Sequence, residues 1–100
     1  MEIKFHSRAE AELDDGYDYY QQQKPNLEKK FIREIHAAIQ SIRRNPEAWQ
    51  IIEGNIRRCL VKRFPYGIVY QISEKEVFII AIANLHREPN YWKYRTLNNE

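Results

Sequence analysis

Cysteine, glycine, proline and long apolar runs are all scarce in this chain of 100 residues, and each scarcity excludes something. The single cysteine, Cys59, cannot close an internal disulfide, so a reduced compartment is expected and the fold must be held by its core. Three glycines and four prolines are too few for a fibrous or low-complexity protein. The longest apolar run, Val77 to Ala83, falls well short of the roughly 18 to 20 residues a membrane helix needs. Met1 opens onto a charged segment with no signal-peptide core, which gives the expectation of a cytoplasmic protein with no membrane partner. Charge of one sign is missing too. The net charge is only +2, so any argument about partners depends on where the charges lie.

What is present is a soluble globular composition, 43% hydrophobic and 30% charged, in a length that suits one domain over residues 1–100. Glu2 to His6 alternates, with Ile3 and Phe5 on one face, as a half-buried strand does. Ser7 stands where an N-cap would, with Glu10 three residues later, so a helix is expected to follow at once. Ala9, Leu13, Tyr17 and Tyr20 form its apolar stripe, and Glu10, Glu12, Asp14, Asp15 and Asp18 lie mostly off it. Lys24-Pro25-Asn26 interrupts the pattern. A second helix then carries Leu27, Phe31, Ile35, Ala38, Ile39 and Ile42 in helical register, with Arg43 and Arg44 at the negative end of its dipole. The two helices are expected to form an antiparallel hairpin.

Pro46 stops the second helix, and Glu47 to Gly54 reads as a connecting loop anchored by Trp49. From Ile56 the period changes. Ile56 to Phe64, Gly67 to Ser73 and Glu76 to Ala83 read as a three-stranded antiparallel meander, parted by Pro65 and by the Ser73-Glu74-Lys75 turn. Ile79 to Ala83 has no polar interruption, as in a central strand covered on both faces or paired with the first strand. The fold class is therefore α+β: one strand, a helix hairpin, and a meander in one small sheet.

Arg57 to Arg95 holds the chemistry. Cations and aromatics gathered at the end of a small sheet suit an acidic surface, whether nucleic acid or protein. Strand alternation sends Arg57 and Arg58 to opposite faces and puts Arg58, Leu60 and Lys62 on a common one, with Arg87 and Arg95 arriving from the tail. His86 beside Arg87 could transfer a proton, although a solvated turn residue is the plainer reading. Tyr91, Trp92 and Tyr94 could stack on bases or anchor an interface; Trp92 is expected in the core and Tyr91 at the disposal of a partner. Flanking arginines could activate Cys59, but a buried filler is the stronger expectation. No His, Cys or carboxylate spacing resembles a metal site, so neither metal nor cofactor is expected.

The order of elements, together with R-R-C-L-V-K-R-F-P-Y-G-I-V-Y and A-I-A-N-L-H-R-E-P-N-Y-W, resembles the RelE/ParE toxins of bacterial type II toxin-antitoxin modules, which include plasmid-stabilising systems. R-F-P-Y-G-I-V-Y at Arg63 to Tyr70 and H-R-E-P-N-Y-W at His86 to Trp92 are similar to the ParE-like branch more than to the RelE-like one. The resemblance implies a toxin neutralised by a cognate antitoxin, and an isolated chain able to self-associate as a homodimer through the surface that antitoxin would cover. It implies one of two targets. The first is DNA gyrase, held by a binding surface, for which Arg58, Lys62, Arg63, His86, Arg87, Tyr91, Tyr94 and Arg95 are the candidate target- or antitoxin-binding residues. The alternative is ribosome-bound mRNA, cut by a metal-independent endonuclease whose set would be Lys62, His86, Arg87 and Tyr91 or Tyr94. Such cleavage needs a base, an acid and cations at the phosphorane. Where RelE-like nucleases carry an arginine near the start of the next strand, this chain has Gly67, which favours gyrase.

Overall fold

The computed structural model describes residues 1–97. β1 (Glu2–Phe5) leads directly into α1 (Ser7–Gln23), and α2 (Leu27–Arg44) returns antiparallel to it. β2 (Gln50–Glu53), β3 (Ile56–Leu60), β4 (Tyr66–Ser73) and β5 (Glu76–Asn84) follow, and a single 3-10 turn, Lys93–Arg95, sits in the C-terminal segment. The five strands form one mixed sheet in the order β1-β5-β4-β3-β2. β1 runs parallel to β5, and all other neighbours are antiparallel. The expected α+β architecture is borne out, with Ile79 to Ala83 on a strand flanked by both β1 and β4.

Three local expectations are corrected. The cap of α1 is His6, not Ser7: its Nδ1 accepts from the Arg8 amide at 3.0 Å, and Ser7 is already helical. The segment expected as a loop contains β2, which pairs with β3 through an irregular register between Ile51 and Glu53. Its four residues, two of them exposed, carry too short a pattern to read as a strand. β3 ends at Leu60 rather than Phe64. The chain bends there, and Arg63 sits at a φ of 70° in the tight connection to β4.

The sheet has a core on each face. Both helices cover one, where Phe31, Ile35 and Ile42 meet Ile68, Tyr70, Val77, Ile79 and Ile82. Phe31 is fully buried among Tyr20, Phe64 and Tyr66, with ring centres 5.0 to 5.4 Å away. Burying such a side chain contributes about 1.5–3 kcal/mol from area alone. Gly16 allows α1 to approach this cluster, because a Cβ there would stand 2.7 Å from the Phe31 ring.

The other face is covered by the C-terminal segment, which turns back so that Trp92 packs on Ile56, Val69, Ile80, Ala81 and Ala83. A bulge makes this possible. Val69 pairs with Ala81 but Tyr70 with Ile79, leaving Ile80 as an extra residue on β5. Alternation slips there: Val77, Ile79 and Ile82 face the helices, while Ile80, Ala81 and Ala83 face the returning tail. This accounts for a run with no polar interruption. Among the described residues no helix is long and apolar enough to cross a membrane.

Candidate functional site

β1 accompanies β5 only as far as Phe5 and Ile79, after which His6 donates its amide to the Ile79 carbonyl and the chain leaves for α1. Beyond that point, among the described residues, the edge of β5 has no strand beside it. Side chains complete it instead. Glu12 on α1 accepts the Ile82 amide at Oε1 (3.0 Å), and Arg95 donates Nη1 to the Ile80 carbonyl (3.1 Å). The same Arg95 Nη1 bonds Glu12 Oε1 at 3.0 Å, which joins helix, sheet edge and tail at one carboxylate. Backbone groups that would otherwise be bare are thereby satisfied.

The second oxygen of Glu12 faces the tail. Oε2 accepts the Tyr91 hydroxyl at 2.7 Å and Arg87 Nη1 at 3.4 Å. The Arg87 guanidinium lies 3.7 Å from the Tyr91 ring centre and that of Arg95 lies 5.1 Å from it, both within cation-π range. These contacts differ in character. The Arg95 side chain is 2% exposed and Glu12 12%, whereas Arg87 is 54% exposed and its bond to Glu12 is the longest of the set. Burial and the Glu12 hydrogen bond raise the Tyr91 pKa well above the ordinary phenol value. Burial opposes the Arg95 charge, but Glu12 and Tyr94 outweigh it and raise the Arg95 pKa. Arg95 also lies 5.6 Å from the Tyr94 ring centre.

Beside this hub, a cavity of about 160 Å³ opens between tail and sheet, lined by Arg58, Val69, Ala83, Arg87, Tyr91 and Trp92 among others. Arg58, from β3, and Arg87 and Tyr91, from the tail, therefore meet at one rim although far apart in sequence. The Arg58 stem crosses Gly67: a Cβ added there would be 2.8 Å from Arg58 Cδ. The glycine thus clears the path by which Arg58 reaches the cavity. Among the described residues the Arg58 guanidinium has no hydrogen-bond or ionic partner.

The remaining candidates lie elsewhere. Because β3 stops at Leu60, Lys62 does not share the Arg58 face; it lines a cavity of about 120 Å³ with Glu34, Ser41 and Cys59 on the α2 side. Arg63 pairs with Glu34 at 3.5 Å, beside a cavity of about 460 Å³ floored by Tyr20, Leu27 and Phe64. His86 is exposed on the turn after β5, its amide bonded to Asn84 Oδ1. Tyr94 is 57% exposed, and a hydrogen bond with Arg95 lowers its pKa. Arg95, a candidate for contact with a target or antitoxin, is buried. Tyr91, expected to be free for a partner, has its hydroxyl bound to Glu12, while Trp92 is 4% exposed in the core as expected. Cys59 is buried, and burial pushes its thiol up to about 11, which opposes nucleophilic use. Among the described residues no cluster of three or more His, Cys, Asp or Glu could hold a metal.

Sequence reasoning missed Glu12, which looked like one of several acids off the apolar stripe of α1. Its only signal was spacing. It lies one turn before Gly16, where α1 approaches Phe31 and Tyr66.

A helix hairpin on one face of a mixed sheet and a returning tail on the other define an α+β protein with the fold of ParE-like toxins. A chain of the solved structure described as "Chromosomal ParDE TA system from P. aeruginosa" shares it, with a TM-score of 0.75 at 23% identity over 86% of this chain and 97% of that one. No curated protein matches. The model of the family described as ParE toxin of type II toxin-antitoxin system, parDE, matches residues 3–91, and the chain belongs to that family. The matched region includes Glu12, Arg58, Arg87 and Tyr91, and ends before Arg95.

Proposed function

We propose that this chain inhibits DNA gyrase, and so DNA replication, in the cytoplasm, and that a cognate antitoxin neutralises it. Membership of the ParE toxin family makes both expectations direct. The observation that carries the choice of gyrase over mRNA is the scattering of the candidate nuclease set, in which Glu12 holds Tyr91 and Arg87 while Lys62 and His86 stand apart. A nuclease needs a group that can take a proton and cations left free for the phosphorane. Here the Tyr91 hydroxyl is committed to a carboxylate, burial and that bond raise its pKa, Arg95 is buried against the same carboxylate, and Lys62 lies on the far side of the sheet. Gly67 supplies no cation, and His86 stands outside the lining of the Arg58 cavity. A rim presenting Arg58 and Arg87 suits a binding protein, which needs a surface and no proton transfer.

Exposed Tyr19, Ile51, Leu60 and Leu85 give an antitoxin apolar surface to cover. Purified chain added to gyrase, relaxed plasmid and ATP is expected to block supercoiling and to accumulate cleaved DNA bound to the enzyme. In a ribosome-programmed translation reaction the mRNA is expected to stay intact. Cuts within codons while supercoiling proceeds normally would overturn the proposal.

A further inference from the structure

A half-buried guanidinium with no counterion is a costly group to place beside an apolar cavity, and Arg58 is such a group. Its stem passes over Gly67, and the residue lines the cavity. Arg87 stands on the same lining and also on that of a second cavity, with Glu12, Asp15 and Tyr66. Asn84 and Tyr91 line both as well. Its tie to Glu12 is long at 3.4 Å and half exposed, while Arg95 and Tyr91 hold that carboxylate more closely. Arg87 can therefore turn to an outside anion without opening the hub.

We infer that Arg58 and Arg87 form a seat for one carboxylate side chain of a protein partner, with an adjacent apolar side chain entering against Val69, Ala83 and Trp92. This rests on the reading of the chain as a toxin bound by an antitoxin, and it names the chemistry of one anchor. Two features favour a protein over a nucleic acid. The floor is apolar, and the lining offers two cations, Arg58 and Arg87, rather than a track of them. A nucleic-acid strand brings a run of phosphates and is held by a continuous cationic track. A single acidic side chain with an apolar neighbour matches what this cavity offers, and guanidinium-carboxylate pairing supplies the direction.

The test is a titration of isotope-labelled protein with acetyl-Leu-Glu-Leu-amide, followed by the side-chain Nε-H signals of Arg58 and Arg87. Both signals are expected to shift saturably, and the Gln counterpart acetyl-Leu-Gln-Leu-amide is expected to bind about tenfold more weakly or worse, the effect of one charged hydrogen bond. Arg58→Gln should lose binding to a similar extent without lowering the thermal midpoint. Equal binding of the Gln peptide, shifts confined to other residues, or tighter binding at this rim by the dinucleotide thymidylyl-thymidine would each overturn the inference. The gyrase assay does not involve these peptides, so a negative titration leaves the proposed target standing, and an inactive gyrase assay leaves the seat standing.

Discussion

The two faces of the sheet are held in different ways. Under the helices, Tyr20, Phe31, Phe64 and Tyr66 interlock around a glycine, and stability comes from buried apolar area and shape. Under the tail, one tryptophan fills the centre, and the segment is tied down by Glu12 at one end and by Gln71, which accepts the Leu97 amide, at the other. The first face spreads its energy over many contacts. The second concentrates it in a few polar groups, and the candidate site is among them. Groups that must meet a partner stay near water, so their placement depends on directed bonds rather than on burial.

The largest effects of substitution are expected to be alike in size and unlike in kind. Phe31→Ala should cost about 3–5 kcal/mol in chemical denaturation by opening a cavity on the helix side, with no change in the Arg87 and Tyr91 side-chain signals. Glu12→Ala should cost about as much, because Arg95 would be left buried without its carboxylate, and it should disturb those signals. Adding Arg95→Leu to Glu12→Ala should recover much of that loss but restore neither signal. Recovery of the signals without Glu12 would erase the contrast between the faces.

A smaller effect sharpens the helix side. Gly16→Ala should destabilise by about 1–3 kcal/mol despite the better helix propensity of alanine, since its methyl meets the Phe31 ring at 2.7 Å. A gain in stability would show that the aromatic cluster yields more readily than its packing implies.

The smallest effect concerns the turn where β1 leaves the sheet. Burial, then Arg95 and Arg8, lower the His6 pKa from 6.5, and its neutral Nδ1 caps α1. A lowered folded-state value means that this contribution is present above about pH 6.5 and is lost as pH falls below it. The thermal midpoint should therefore drop between pH 7.5 and pH 5, and His6→Asn, which keeps a capping acceptor, should remove that part of the drop.

Periodicity was a good guide wherever a long element buries one face. Leu27, Phe31, Ile35 and Ile42 announce α2, and the change of period after Ile56 announces the meander that carries β3, β4 and β5. It failed where the element is short or the period slips. β2 has four residues, and the placement of Lys62 beside Arg58 assumed a strand that in fact ends at Leu60. The Ile80 bulge could not be read from an all-apolar run, since such a run has no polar marker to show which residue changes side.

The amino-acid order by itself determined the helix hairpin, the antiparallel strands, the apolar stripes of both helices and the family, because these follow from patterns within tens of residues. Only the tertiary structure decided that Glu12 is the centre of the site. Its partners Arg87, Tyr91 and Arg95 lie 75, 79 and 83 residues away, and the amide it accepts is exposed to it only because β1 stops short beside β5. A carboxylate on a helix looks the same in sequence whether it faces water or a bare strand edge. Which of these it meets is settled by where the chain returns.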